Sequence, residues 1–314
     1  MSSIKMGVIG VGSMGRNHAR VCASLPGVEL VYVCDTDPKT LDSVAGEYGC
    51  AATVNPSDLI GQVDAVSVVA PTSEHFRLGQ IFLANGIHVL MEKPVTAELE
   101  EARALVALDE KLGGKVVFQV GHLERFNPAV LKLKEMLDRP MLLEAHRLSA
   151  PTTRNLDVGI SWDLMIHDYD LLLSLLNDEV DGVNAQGISV YSEHEDIASV
   201  QLQFRNGVQA NLVASRNSSE RSRGLKVTQA DGSIIIVDYI GQTLKVSHLD
   251  GSGKPAPLEE IPVEKAEPLK LELADFVRCV REGGRPAVSC QDGLKAVELA
   301  CRVRERMNIV KMSR

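Results

Sequence analysis

The chain has 314 residues, 45% of them hydrophobic, and a formal net charge of −9. That length predicts two domains of ordinary size. The acidic balance argues against nucleic acid or a membrane surface as partner, since both favour basic chains. No apolar run is long enough to span a bilayer and MSSIKMGVIG enters a strand without a secretory pattern, so a cytoplasmic protein is expected. The six cysteines form no C-x-x-C pair and no ligand-like spacing; they are expected to be reduced packing residues, and no metal is expected.

In chain order, the run IKMGVI leads into Gly10-x-Gly12-x-x-Gly15, followed by the helical pattern SMGRNHARVCASL and the strand VELVYVC ending before Asp35. Strand, glycine turn, helix and a distal carboxylate form the dinucleotide fingerprint. Gly10 allows the turn, Gly12 the approach of a pyrophosphate, and Gly15 close packing of helix on strand, while the helix N-terminus offers N–H groups to phosphate. Asp35 can accept from ribose hydroxyls and repels a 2'-phosphate, which predicts NAD over NADP. Asp37-Pro38 predicts an ordinary helix cap with no cofactor role.

Further strands are predicted at 65–69, 88–91 and 116–120, alternating with helices, one of them running from the acidic turn after Thr96 to Gly113-Gly114. The alternation predicts a Rossmann-type, doubly wound parallel sheet for residues 1–122. Residues 123–314 change character and predict an α+β domain with a mostly antiparallel sheet. It holds a helix at AVLKLKEML, a strand at MLLEAHRLSA, one amphipathic helix over 161–176, and hairpins around Asn206-Gly207 and Asp231-Gly232. A proline-rich surface connection at 254–268 and two closing helices follow. In the first hairpin Val200, Leu202 and Phe204 alternate with Gln201, Gln203 and Arg205, which predicts one buried face and one polar face open to solvent or to another subunit.

Two places carry candidate chemistry. Lys93, in Glu92-Lys93-Pro94, follows a buried strand at the carboxyl edge of the sheet, where doubly wound folds bind ligands. A desolvated amine there suits proton transfer and the holding of a substrate oxygen. Asp163 and His167 are four apart, hence on one face of the predicted helix, where a carboxylate can orient an imidazole acting as general acid or base. Asp168 and Asp170 read as solvated or capping residues.

The glycine segment MGVIGVGSMG, the segment APTSEH at 70–75, Glu92-Lys93-Pro94 and Asp163-x-x-x-His167-Asp168 together resemble the glucose-fructose oxidoreductase and inositol dehydrogenase family, through essentially the whole chain. The resemblance implies cofactor contacts from Gly10, Gly12, Ser13, Met14, Gly15, Asp35, Thr72, His75, Glu92 and Lys93, with Thr72, Glu92 and Lys93 toward the nicotinamide. It implies that Lys93, Asp163 and His167 surround the carbon that loses hydride, and that the protein is a homodimer or homotetramer built through its second-domain sheets. The stretches VGHLERFNPAV, LMIHDYDLLL, GLKVTQADGSIIIVDY and EPLKLELADFVRCV are more narrowly similar to the branch that oxidises the 3-hydroxyl of UDP-N-acetylglucosamine. That likeness adds His122 and Arg125 to the substrate set beside Lys93, Asp163 and His167, and the two phosphates of a nucleotide sugar make Arg154, Arg216, Arg221 and Arg223 candidates for holding them, each with a solvated surface position as the alternative. The turn in TQADG departs from a glycine-rich form common in that branch. A cyclitol or free-sugar dehydrogenase and a non-catalytic dinucleotide sensor are the alternatives; a sensor has no need of a proton-transfer set.

Overall fold

A computed structural model of the chain describes residues 3–151, 156 and 158–312. They form two compact units, Met1–Leu123 with Glu267–Val297, and Glu124–Ala266 with Glu298–Arg314.

The first unit begins β1 (Ile4–Ile9), α1 (Ser13–Ser24), β2 (Val28–Cys34), α2 (Pro38–Tyr48), β3 (Ala51–Thr53), β4 (Ala65–Val68), α3 (Thr72–Ala84), β5 (His88–Glu92), α4 (Leu99–Leu112) and β6 (Phe118–Gly121). These strands make one parallel sheet in the order β3-β2-β1-β4-β5-β6. The expected doubly wound sheet is present, with a three-residue edge strand, β3, that the apolar pattern did not reveal. The order reverses between β1 and β4, and the crevice at their carboxyl ends is where this architecture binds ligands. Helix ends follow local chemistry. Asp37 caps α2 by accepting from the Lys39 and Thr40 N–H groups, and Gly113 closes α4 in the left-handed conformation.

The second unit holds α5 (Pro128–Met136), β7 (Pro140–Leu148), α6 (Ile160–Asp163), α7 (Ile166–Leu176), β8 (Val180–Ser189), β9 (Ile197–Phe204), β10 (Gln209–Ser215), β11 (Ser222–Gln229), β12 (Ile234–Asp238), β13 (Thr243–Ser247) and β14 (Glu259–Ile261). The chain continues as α8 (Pro268–Glu282) and α9 (Cys290–Arg306), then ends on β15 (Met307–Lys311). The sheet order is β14-β13-β12-β11-β7-β10-β9-β8-β15. Both predicted hairpins form, with Gly207 and Gly232 at positive φ. The sheet is mostly antiparallel but mixed, because β7 runs parallel to β10 and β15 parallel to β8. Along β9, Val200, Leu202 and Phe204 are buried while Gln201 and Gln203 are exposed, as the alternation requires.

Two features differ from the sequence-based expectation. The helix predicted over 161–176 is two helices, α6 and α7, because the regular ladder lapses at Leu164 and Met165. There the Met165 N–H bonds back to Ile160, and those of His167 and Asp168 reach only three residues back. The second is the single cut after residue 122. In the fold Glu267–Val297 groups with the first unit, since Leu269, Leu273, Phe276 and Val277 of α8 enter the core that contains Met6, Val8, Val21 and Cys22. Their spacing marks a core-facing stripe, but periodicity does not say which core it faces.

Candidate active site

At the end of β1 the three glycines have separate steric reasons. Gly10 has φ +82°, and a Cβ there would lie 2.6 Å from the Val69 carbonyl oxygen. At Gly15 a Cβ would fall 1.8 Å from the Gly10 carbonyl oxygen, so α1 approaches the turn closely only because the residue is glycine. Gly12 meets nothing within 4 Å and leaves open space at the start of α1, which has no side-chain cap. Ser13 and Met14 in its first turn are exposed. This cradle fits a pyrophosphate: a bare glycine, an uncapped helix N-terminus and backbone N–H groups.

Asp35 stands beside the cradle. Its Oδ2 accepts from the Val11 N–H at 2.7 Å and its Oδ1 from the Asp37 N–H at 2.9 Å. Each oxygen keeps a second lone pair for a ribose hydroxyl, and the carboxylate also pins the glycine turn, a duty the sequence did not reveal. A pocket lined by Gly10, Asp35, Thr36, Pro71 and Arg77 opens here. Arg77, its one arginine, is bonded to Glu74 at 2.6 and 2.9 Å.

Thr72 starts α3 and is half-buried. His75, one turn on, is buried, with Nδ1 2.8 Å from the Pro94 carbonyl and Nε2 2.9 Å from that of Ala70. Burial lowers its pKa, against the pull of those two carbonyls. Its contacts tie the loop after β4 to the turn that carries Lys93. At that turn Glu92 Oε2 accepts from the Lys93 N–H at 3.1 Å, and Glu92 Oε1 lies 3.2 Å from His18 Nε2. The other ring nitrogen of His18 is 2.8 Å from the Ser67 hydroxyl. Burial alone would raise the Glu92 pKa, but the hydrogen bond and charge of His18 and the charge of Lys93 outweigh it and hold the carboxyl below its ordinary value. His122, just beyond β6, is buried in the same unit. His18 was absent from the predicted site; its only signal was a polar residue on the buried face of α1.

The second unit carries Arg125, Asp163 and His167. Asp163 ends α6 and His167 lies in the first turn of α7, both half-buried. They flank the break, so the argument from one continuous helical face does not describe them. Asp168 and Asp170, read from sequence as solvated or capping, are both buried and paired. Arg125 binds Asp170 through two nitrogens. Arg147 of β7, itself buried, binds Asp168 at 2.8 Å and Glu124 at 3.1 Å. Burial disfavours its charge, but those carboxylates outweigh that and raise its pKa. The first turns of α7 are thus fastened by two arginines, at Asp168 and Asp170 just after His167.

Of the candidate phosphate-binding arginines, Arg154 lies outside the described residues. Arg216 is buried, 3.4 Å from Asp196, and donates to the Val158 carbonyl at 2.6 Å. Arg221 is exposed. Arg223 is half-buried opposite Arg147 in register, and burial followed by the charge of Arg147 lowers its pKa. Among the described residues no helix is long and apolar enough to cross a membrane. None of the six cysteines is in a disulfide, and five are buried.

Comparison with known proteins agrees with this geometry. Residues 4–122 match the model of an oxidoreductase family with an NAD-binding Rossmann fold, and residues 102–235 match the C-terminal domain of the same GFO/IDH/MocA family. The chain is 35% identical over 285 residues to UDP-N-acetylglucosamine 3-dehydrogenase of Acidithiobacillus ferrooxidans, covering 89% of this chain and 90% of the relative. A solved structure of that enzyme superposes with a TM-score of 0.90 at 33% identity over 98% of each chain. scyllo-Inositol 2-dehydrogenase (NAD(+)) of Bacillus subtilis is 29% identical over 317 residues, covering 94% of this chain and 92% of the relative. These relatives act on sugar or polyol hydroxyls, and the chain belongs to the Gfo/Idh/MocA family of oxidoreductases.

Proposed function

We propose that this protein is an NAD-dependent dehydrogenase that oxidises the 3-hydroxyl of UDP-N-acetylglucosamine to a ketone, in the cytoplasm and as a homo-oligomer, ahead of conversion to a 3-amino sugar. The observation that carries the substrate is the likeness to the Acidithiobacillus ferrooxidans enzyme, which extends over both units. When bound, NAD supplies the hydride acceptor. Gly10, Gly12, Ser13, Met14 and Gly15 hold its phosphates and Asp35 its ribose, with Arg77 offset by Glu74 and therefore poor at attracting a 2'-phosphate. Thr72 and Glu92 line the ring end, and His75 serves by holding the two loops that carry Thr72 and Lys93.

Lys93 holds the substrate oxygen and offsets the negative charge that develops on it. His167, or Lys93 itself, takes the hydroxyl proton, and Asp163 orients the imidazole. His122 and Arg125 complete the substrate contacts. Arg125 does so as a wall of fixed position, since its guanidinium is engaged by Asp170. Arg221 and Arg223 remain the candidates for the substrate phosphates, because Arg216 is engaged by internal partners. No residue role here calls for a metal.

A second reading, a cyclitol dehydrogenase, draws on the inositol dehydrogenases among the relatives. The deciding experiment incubates the protein with NAD and a panel of UDP-sugars, free hexoses and inositols, following reduced NAD and the product mass. A product two hydrogens lighter than UDP-N-acetylglucosamine is expected, pulled forward by an aminotransferase where the equilibrium is unfavourable. Turnover of inositols alone would overturn the nucleotide-sugar assignment.

A further inference from the structure

Behind the Glu92-Lys93 turn lies a second carboxyl. Glu272, on α8, is fully buried and neither of its side-chain oxygens has a hydrogen-bond partner. One oxygen of Glu272, one of Glu92 and a ring nitrogen of His18 all lie within 4.8 Å of one another. Gln119 of β6 donates to the Glu272 backbone carbonyl at 3.2 Å, and its own buried side-chain oxygen accepts nothing. Such surroundings do not tolerate a second carboxylate. A buried ionised carboxyl without protein donors, beside another negative charge, carries a desolvation cost that protonation removes. A neutral acid also gains a donor, and an oxygen acceptor stands within 4.8 Å on Glu92.

We propose that Glu92 and Glu272 form a buried carboxyl pair sharing a single proton at neutral pH, with Glu272 the neutral member. Every charged group facing Glu272 fits this arrangement. Glu92 on β5 and Asp275 on its own helix both favour the proton and join burial in raising its pKa well above the ordinary glutamate value. The hydrogen bond from His18 of α1 and the neighbouring Lys93 act on Glu92 and keep that member ionised. Glu92 is thereby left as a lone carboxylate accepting from His18 and from the Lys93 backbone. Glu272 is a positioning residue, acting on Lys93 through Glu92. That last step rests on the reading of Lys93 as catalytic; the proton itself does not.

The test compares the whole protein with E272Q, a neutral isostere of the protonated acid. For a carboxyl raised in the folded state, the stability contribution is fully present below the unfolded value and is lost as pH rises toward the folded one. The folding equilibrium of the wild type should therefore fall relative to E272Q by about tenfold per pH unit above roughly pH 4.5, read by denaturant titration. A constant offset across the pH range overturns the proposal. So does one equivalent of a divalent metal in the isolated protein, since His18, Glu92 and Glu272 would then be ligands. Should E272Q fold poorly, the infrared carbonyl band of a protonated acid at pH 7, assigned by labelling the glutamates, decides on the wild type alone: its presence supports the pair and its absence refutes it. Turnover tests the link to Lys93: E272A should lower kcat without changing the Kd for NAD, and E272Q should restore it. Failure of that arm with the stability arm intact would fault the catalytic reading and leave the proton in place.

Discussion

Lys93, His167 and Asp163 are the residues on which the catalytic proposal stands, and each has a distinct expected cost. Lys93→Ala and His167→Ala should each lower kcat by about a hundredfold or more with little change in NAD affinity, because acid-base groups contribute factors of that size. Asp163→Asn should cost less, since the imidazole keeps its proton-transfer capacity and loses only an orienting charge. Steady-state kinetics and calorimetric NAD titration read both quantities, and normal turnover by Lys93→Ala would end the assignment. At Asp35, serine in place of aspartate should narrow the preference for NAD over NADP, since both the ribose acceptor and the repulsion of a 2'-phosphate are lost. Because Asp35 also accepts from Val11 and Asp37, the variant should weaken binding of both cofactors as well. NADP binding as tight as NAD in the wild type would show the ribose argument to be wrong.

Among the elements, α7 is held by charges that no local pattern displays. Asp168 and Asp170 sit three and five residues after the break at Met165, on a helix otherwise rich in leucine. A sequence reader sees acids in a first turn and assigns them to solvent. The structure buries both, because Arg147 arrives from β7 and Arg125 from the turn before α5. Replacing Arg147 by methionine should destabilise the protein by about 3–5 kcal/mol in chemical denaturation, since Asp168 and Glu124 lose the charge that compensates their burial. A loss below ~1 kcal/mol would mean that water reaches these carboxylates. α8 makes the same point about the core: its stripe was legible, and its destination was not.

For the whole molecule, the open face of the nine-stranded sheet is the surface that invites a second copy. Asn184, Gln201 and Asn211 stand in one cross-strand row, while Ile188 and Val213 on the same face are more than a third exposed. A polar but weakly charged face with scattered apolar residues suits subunit packing. Light scattering should therefore give a dimer or tetramer, and lysine at both Gln201 and Gln203 should shift it toward smaller species. A wild-type monomer at micromolar concentration would sink the idea.

The sequence by itself determined the first unit's parallel sheet, its glycine cradle, the two hairpins and the family, since these rest on short-range requirements: a positive φ that favours glycine, a turn that Asn-Gly and Asp-Gly favour, and an apolar run between them. The same holds for Lys93, which is tied to a strand end, and for Asp37, whose capping bonds reach three residues at most. Tertiary structure alone decided the rest. The break between Asp163 and His167, the burial of Asp168 and Asp170, the return of α8 to the first core, the parallel entry of β15 beside β8, and the meeting of His18, Glu92 and Glu272 all join segments distant in the chain or depend on what packs against them. A charge is read as solvated until its partner arrives, and the partner's position is a property of the folded chain.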